Sequence, residues 1–104
     1  MIFIETPVFT RQVSEALSDD EYRMLQWMLA LRPDTGDLIQ GGGGIRKVRW
    51  ALPGRGKSGG VRVIYFWRRT AAHIYMLFLF QKSERSDLTP NQLKQLAKYV
   101  KELK

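Results

Sequence analysis

The chain has 104 residues, 44% of them hydrophobic, and its 17 Lys and Arg against 10 Asp and Glu give a formal net charge of +7. This length fits a single domain over residues 1–104, and the apolar content argues against intrinsic disorder. The chain contains no cysteine, which excludes disulfide bonds and thiolate metal sites. No signal peptide and no bilayer-spanning apolar run are recognisable, so we expect a cytoplasmic protein with no membrane partner.

The first third of the chain predicts a short strand and two helices. Thr6 followed by Pro7 is typical of an N-cap with proline at the first helical position. Ser18 and Glu21 match a capping box, in which each residue's side chain bonds the other's free backbone N–H. This box begins the second helix, and the helix breakers that follow at residues 33–36 end it.

Three strands follow a glycine-rich connector. Because side chains alternate along a strand, Lys47 and Arg49 share one face of the first strand and Arg46 lies on the other. Val61 to Trp67 and Ile74 to Phe80 form an antiparallel hairpin. The second of these runs is apolar on both faces, which is typical of a central strand.

A last helix closes the chain. Thr89-Pro90-Asn91-Gln92 repeats the capping pattern, and apolar residues recur after it at helical spacing. The predicted fold class is therefore α+β: a small antiparallel sheet with two N-terminal helices and a C-terminal helix.

Basic residues are concentrated in the predicted strands and the turn between the first two. Residues 46 to 69 contain eight Lys and Arg and no acid: Arg46, Lys47, Arg49, Arg55, Lys57, Arg62, Arg68 and Arg69. Such a block favours a polyanionic partner, because neutralising phosphates releases their counterions. On charge alone, a generally solvated basic surface is the alternative.

One glycine motif and one histidine are the features of this chain that would indicate a nucleotide-binding site or a metal site. Residues 54–59 formally match G-x-G-x-x-G, but a strand follows them where a nucleotide-binding motif requires a helix. We therefore interpret the segment as a hairpin turn whose Arg55 and Lys57 contact RNA phosphates. His73 is the only histidine and the carboxylates show no ligand spacing, so no metal site and no cofactor are predicted.

A basic site of this kind suits RNA cleavage. RNA carries its own nucleophile, the 2′-hydroxyl, and Lys or Arg can stabilise the charge that develops on the phosphate. Lys47 and Arg49 on one strand face, Arg62 on the next strand and Lys82 beyond the third are expected to converge. Glu84 is the nearby residue best able to accept a proton, and a structural pairing of Glu84 with Arg62 or Arg85 is the equal alternative.

The order of residues resembles the RelE/ParE toxin superfamily, most closely its HigB-type branch. The resemblance covers nearly the whole chain and is strongest at residues 44–49 (GIRKVR), 56–65 (GKSGGVRVIY) and 75–88 (YMLFLFQKSERSDL). It implies a type II toxin–antitoxin toxin, an endoribonuclease that enters the decoding site of the ribosome, beside the 16S rRNA, and cleaves mRNA. It also implies a cognate antitoxin, of the helix-turn-helix type.

The resemblance also implies site residues. Lys47 and Arg49 match basic residues of the family's first hairpin strand, Arg62 its phosphate-stabilising arginine, and Lys82 and Arg85 basic positions after the third strand. The predicted catalytic residues are Arg62, Lys82, Glu84 and Lys47. The predicted RNA-binding residues are Arg46, Arg49, Arg55, Lys57 and Arg85.

The chain departs from the family pattern at two positions. Ser83 stands where well-studied RelE members have an arginine, and Thr89 where they have a catalytic tyrosine. Either Glu84 and Lys82 take over proton transfer, or the site works differently. Two other functions stay open: a ParE-like inhibitor of DNA gyrase without nuclease activity, and a degenerate member that only binds RNA or its antitoxin.

Overall fold

The computed structural model describes residues 1–51, 60–85 and 87–104. The strands are β1 (Ile2–Glu5), β2 (Asp37–Leu38), β3 (Ile45–Trp50), β4 (Val61–Arg68) and β5 (His73–Gln81). The helices are α1 (Pro7–Ala16), α2 (Asp19–Leu31) and α3 (Pro90–Leu103), and a 3-10 turn at Arg69–Ala71 joins β4 to β5. The predicted α+β class is confirmed.

The predicted helix starts are confirmed at the level of single hydrogen bonds. The Thr6 hydroxyl accepts a hydrogen bond from the backbone N–H of Phe9 at 3.1 Å. Ser18 and Glu21 form the complete capping box at the start of α2, and Thr89 forms one with Gln92 at the start of α3. Each cap satisfies backbone N–H groups that the first helical turn leaves without a partner.

The sheet has the strand order β1-β5-β4-β3-β2. The three predicted strands pair antiparallel, as expected. The sheet is mixed rather than purely antiparallel, because β1 pairs parallel to the first half of β5. The central strand is β4 and not β5. The two-residue β2 adds the edge beside β3, within the stretch that the sequence indicates as a connector.

The two faces of the sheet pack against different helices. The first face carries α1 and α2, and its core includes Phe9, Val13, Leu25, Leu29, Val48, Val63, Tyr65 and Met76. The second face carries α3, and its core includes Ile45, Ile64, Phe66, Tyr75, Leu77, Phe80 and Val100. Alternation along β3 therefore separates its side chains as predicted: Val48 enters the first core, whereas Lys47 and Arg49 lie on the α3 side.

A buried tyrosine ties the connector after α2 to the sheet. The hydroxyl of Tyr65, which is fully buried, donates to the Pro33 carbonyl at 2.7 Å and accepts from the Gly36 N–H at 2.9 Å. A Cβ atom at Gly36 would lie 2.9 Å from the Tyr65 ring and 3.0 Å from the Lys47 carbonyl oxygen. The close approach of the two segments therefore requires glycine at this position.

No helix in the described part of the chain is long and apolar enough to cross a membrane.

Replacing Tyr65 with Phe removes the hydroxyl and leaves both the Gly36 N–H and the Pro33 carbonyl without a partner. We expect Tyr65→Phe to lower the free energy of unfolding by about 1–3 kcal/mol, the usual cost of unpaired buried polar groups. Urea denaturation measures the change. Tyr99→Phe, at a residue that is 39% exposed, is the control and should change stability by less than about 0.5 kcal/mol. Equal effects of the two variants would contradict this role of Tyr65.

Candidate active site

Three basic side chains meet on the α3 side of the sheet. In the antiparallel register of β3 and β4, Arg49 lies directly opposite Arg62 and Lys47 lies opposite Ile64. Because residues i and i+2 of a strand share a face, Lys47, Arg49 and Arg62 form one group, which we call the cationic cluster. The convergence of these three residues, expected from the sequence, is therefore present in the fold.

Arg62 is the most constrained member of the cluster. Its side chain is only partly exposed, and its Nη1 atom is buried with no hydrogen-bond partner among the described residues. Burial lowers the pKa of Arg62 from its ordinary value, the positive charge of Arg49 lowers it further, and the carboxylate of Asp87 opposes both. A partly buried guanidinium beside a second cation is a site at which an anion relieves the local repulsion.

The carboxylate that contacts the cluster is Asp87, which the sequence analysis did not identify. Its Oδ2 lies 3.1 Å from Lys47 Nζ, and its Oδ1 accepts a hydrogen bond from the backbone N–H of Leu88 at 2.8 Å. Burial alone would raise the pKa of Asp87, but the Leu88 N–H, Lys47 and Arg62 together lower it. Asp87 is therefore ionised over the physiological pH range and holds the ammonium group of Lys47.

No signal in the sequence distinguishes Asp87 from the other acids. Lys47 and Asp87 are 40 positions apart. Asp87 belongs to the segment between β5 and α3, whose sequence shows neither helical nor strand periodicity. Only the folding of that segment over the sheet brings the two residues together.

The segment after β5 carries the other predicted residues. The backbone N–H of Lys82 donates to the Gly60 carbonyl at 3.3 Å, so Lys82 continues the β4–β5 pairing two positions beyond Phe80. Phe80 lies opposite Arg62. Because alternate residues of a strand share a face, Lys82 lies on the same side of the sheet as Phe80 and the cationic cluster.

Glu84 lies at the edge of the sheet beside α1. It lines a small cleft with Gln12, Glu15 and Phe80. Among the described residues it forms no ion pair with Arg62 or Arg85, so the structure provides no support for the structural pairing. Across the sheet, Arg49 lies opposite Arg62 and Arg62 lies opposite Phe80, at about 4.8 Å per strand, and Glu84 lies in the turn that follows β5.

Arg85 and Arg46 hydrogen-bond groups outside the cluster. Arg85 Nη1 donates to the side-chain carbonyl of Gln92 at 2.7 Å, and its guanidinium lies 5.9 Å from the ring centre of Phe78. Arg46 is on the opposite face of β3, where its Nη1 donates to the carbonyls of Asp34 at 3.1 Å and Gly36 at 2.7 Å. Arg46 therefore stabilises the connector. The predicted RNA contacts Arg55 and Lys57 lie outside the described residues.

The cationic cluster is suited to binding a phosphate group. It combines two guanidinium groups and an ammonium group on one shallow face, with a single carboxylate that orients the ammonium group. Within residues 1–51, 60–85 and 87–104, no group of three or more His, Asp or Glu is placed to hold a metal ion. The arrangement supplies charge stabilisation and hydrogen-bond donors, which are the needs of phosphoryl transfer.

Comparison with known proteins connects this geometry to a family. Residues 5–104 match the family model described as the RelE toxin of the RelE/RelB toxin–antitoxin system. The structure is similar to that of the E. coli toxin RelE, solved as a double arginine-to-alanine variant in the free state. The TM-score is 0.62 at 12% sequence identity, and the similarity covers 95% of this chain and 96% of that chain. At this identity, the structural similarity shows a shared fold.

Replacing Asp87 with Asn tests whether its carboxylate stabilises the fold through Lys47. Because the folded-state pKa of Asp87 is lowered, its contribution is complete above the ordinary value of 3.8 and is lost as the pH falls through the lower folded value. We expect Asp87→Asn to cost roughly 0.2–1 kcal/mol at pH 7, because the pair is partly exposed. Wild type and variant should converge in acid.

Urea denaturation at neutral and at acidic pH measures this difference. Asp20→Asn, which removes an exposed acid paired with Arg23 within α2, on the other face of the sheet, is the charge-matched control for global electrostatics. A stability difference between wild type and Asp87→Asn that stays constant down to pH 2 would contradict the role of the ionised carboxylate.

Proposed function

The chain belongs to the family of RelE toxins of the RelE/RelB toxin–antitoxin system, and from this premise we propose that it is a toxin that cleaves mRNA on the ribosome. The observation that carries the proposal is the cationic cluster, in which Arg62 lies opposite Arg49 and its Nη1 has no hydrogen-bond partner among the described residues. A phosphate bound there gains hydrogen bonds to Arg62 and relieves the repulsion between Arg62 and Arg49.

The proposed reaction uses the 2′-hydroxyl of the RNA as nucleophile. Its oxygen loses a proton to a base and forms a bond to phosphorus, while the bond between phosphorus and the 5′-oxygen breaks. The 5′-oxygen takes up a proton, which leaves a 2′,3′-cyclic phosphate and a 5′-hydroxyl. Arg62, with Lys47 and Arg49 beside it, stabilises the additional negative charge on the phosphate oxygens in the transition state.

Asp87 is the positioning residue of this scheme. Its contact with Lys47 fixes the ammonium group beside the phosphate site, and its lowered pKa makes it a weak proton acceptor. We assign proton transfer to Lys82 and Glu84, which lie in the turn beyond Phe80 and next to the strand position opposite Arg62. Both side chains are exposed and therefore accessible to a bound ribose.

The ribosome supplies what the cationic cluster lacks. The cluster consists of three cations that bind phosphate and do not select a base, so a partner must hold the mRNA with its 2′-hydroxyl in line with the scissile bond. The decoding site, beside the 16S rRNA, presents mRNA in this way. A cognate antitoxin, which we propose to be of the helix-turn-helix type, prevents this encounter, and the toxin acts in the cytoplasm. The absence of the family's tyrosine at Thr89 favours the HigB-type branch.

Replacing Arg62 with Ala should abolish cleavage. We expect the cleavage rate to fall about 10²–10³-fold, which is the usual effect of removing one donor to a developing oxyanion. Primer extension on an mRNA in a reconstituted translation reaction measures it. Arg11→Ala, at an exposed arginine of α1, removes the same charge outside the cluster and should cleave like wild type.

Two outcomes would contradict the proposal. If folded wild-type protein gives no cuts with ribosomes present, the nuclease function is wrong and a DNA supercoiling assay with gyrase tests the ParE-like alternative. If Arg62→Ala cuts as well as Arg11→Ala, the nuclease is active but its site lies elsewhere.

Replacing Glu84 with Gln tests the assignment of proton transfer. The change keeps the size of the side chain and removes its ability to accept a proton, so we expect the cleavage rate to fall about 10²–10⁴-fold. The same reconstituted assay measures the rate. A wild-type rate would show that another group accepts the proton.

A further inference from the structure

A second basic cleft lies at the opposite end of the sheet from the cationic cluster. It is bounded by the end of β4, by the 3-10 turn and by Lys104, which directly follows α3, and its volume is about 400 Å³. The residues that line it are Phe66, Trp67, Arg68, Arg69, Thr70 and Lys104. Three of these six have cationic side chains, and none has an acidic side chain.

Two of the three cations contact neutral groups. The guanidinium of Arg69 lies 5.0 Å from the ring centre of Trp67, and Lys104 Nζ lies 5.9 Å from that of Phe66. Lys104 Nζ also donates to the Gly43 carbonyl. No ion pair within the described part of the chain engages Arg68, Arg69 or Lys104. Their charges are therefore not neutralised by carboxylates there and are available to an anionic ligand.

The chemistry of the cleft fits RNA better than a small anion. Cations next to an accessible aromatic ring are the combination that binds the phosphate backbone and the bases of single-stranded nucleic acid. Trp67 is half-buried, the Arg69 guanidinium lies over its ring, and the turn that carries Arg69 is exposed. A cleft of about 400 Å³ is large enough for one nucleotide unit.

The second cleft is separate from the proposed active site. Arg62 and Arg68 are six residues apart on the same face of β4, which corresponds to about 20 Å along the strand. Between them Ile64 and Phe66 are buried in the core that includes Val100 of α3. The nucleotides at the scissile bond therefore cannot reach the second cleft, and its occupant is another part of a long RNA.

We propose that the cleft formed by Arg68, Arg69 and Lys104 is a second RNA-binding site, which binds the phosphodiester backbone of a polynucleotide at a distance from the bond that is cleaved. The proposal rests on the proposed function only in taking RNA as the polyanion. The RNA is either ribosomal RNA or a distant part of the mRNA, and both present the same phosphate chemistry.

Direct binding measurements test the proposal without relying on cleavage. Wild type and the Arg68→Ala/Arg69→Ala double variant are titrated with a single-stranded RNA of about thirty nucleotides and with vacant ribosomes, over a range of salt concentrations. We expect the double variant to bind at least tenfold more weakly, with the slope of log affinity against log salt reduced by about 1.4 for single-stranded RNA, because two phosphate contacts are lost. Thermal melts check that the variants are folded.

The matched control is the Arg11→Ala/Arg32→Ala double variant. It removes the same two charges from exposed arginines of the α1–α2 side, and it should change affinity and salt slope much less. Weaker binding to ribosomes alone would identify ribosomal RNA as the ligand, and weaker binding to both would show recognition of RNA backbone in general.

Other outcomes overturn the proposal. Equal losses in the two double variants would show a general effect of net charge, and no loss in the Arg68→Ala/Arg69→Ala variant, or no binding by wild type, would show that the cleft binds no RNA. These results are distinct from a failure of the proposed function, in which wild type binds ribosomes through this cleft and cuts no mRNA.

Discussion

The pairing of Arg49 with Arg62 across β3 and β4 is the constraint on which the site depends. Like charges directly opposite each other on one face of a sheet destabilise the pairing. Here the apolar neighbours of the two arginines fix the register, since a slip by one residue would move Ile45, Ile64 and Phe66 out of their core. The sheet therefore holds two cations together that would separate in a free chain, and a phosphate is the ligand that best offsets this repulsion. Local conflicts of this kind are expected where a protein binds or reacts.

The two faces of the sheet divide structural and functional roles. On the α1–α2 face, polar groups are used to join segments: Tyr65 and Arg46 both hydrogen-bond the connector after α2. On the α3 face, the contact of Lys47 with Asp87 is the one such bond that the cationic cluster makes within the described part of the chain. Two arginines of one short basic block thus have different roles, because alternation along β3 sends Arg46 to one face and Arg49 to the other.

The distribution of charge along β4 extends this division. Arg62 near its start belongs to the cationic cluster, and Arg68 at its end belongs to the second cleft, with the apolar contacts of α3 between them. α3 therefore separates the two basic regions and also covers the core on this face of the sheet. Two basic regions about 20 Å apart on one surface fit a long polyanion, in keeping with the proposed function.

The sequence by itself determined the helices, the alternation along the strands and the family. Those features depend on local chemistry: a Ser or Thr cap, a proline at the first helical position, and the two-residue period of a strand act between near neighbours. Tertiary structure alone decided the parallel pairing of β1, the central position of β4 and the choice of carboxylate. Glu84 and Asp87 are three residues apart and indistinguishable in pattern, yet the first lies at the rim beside α1 and the second contacts Lys47. Which of them meets the cations depends on how a segment without periodicity crosses the sheet, and only the packing of the complete chain determines that path.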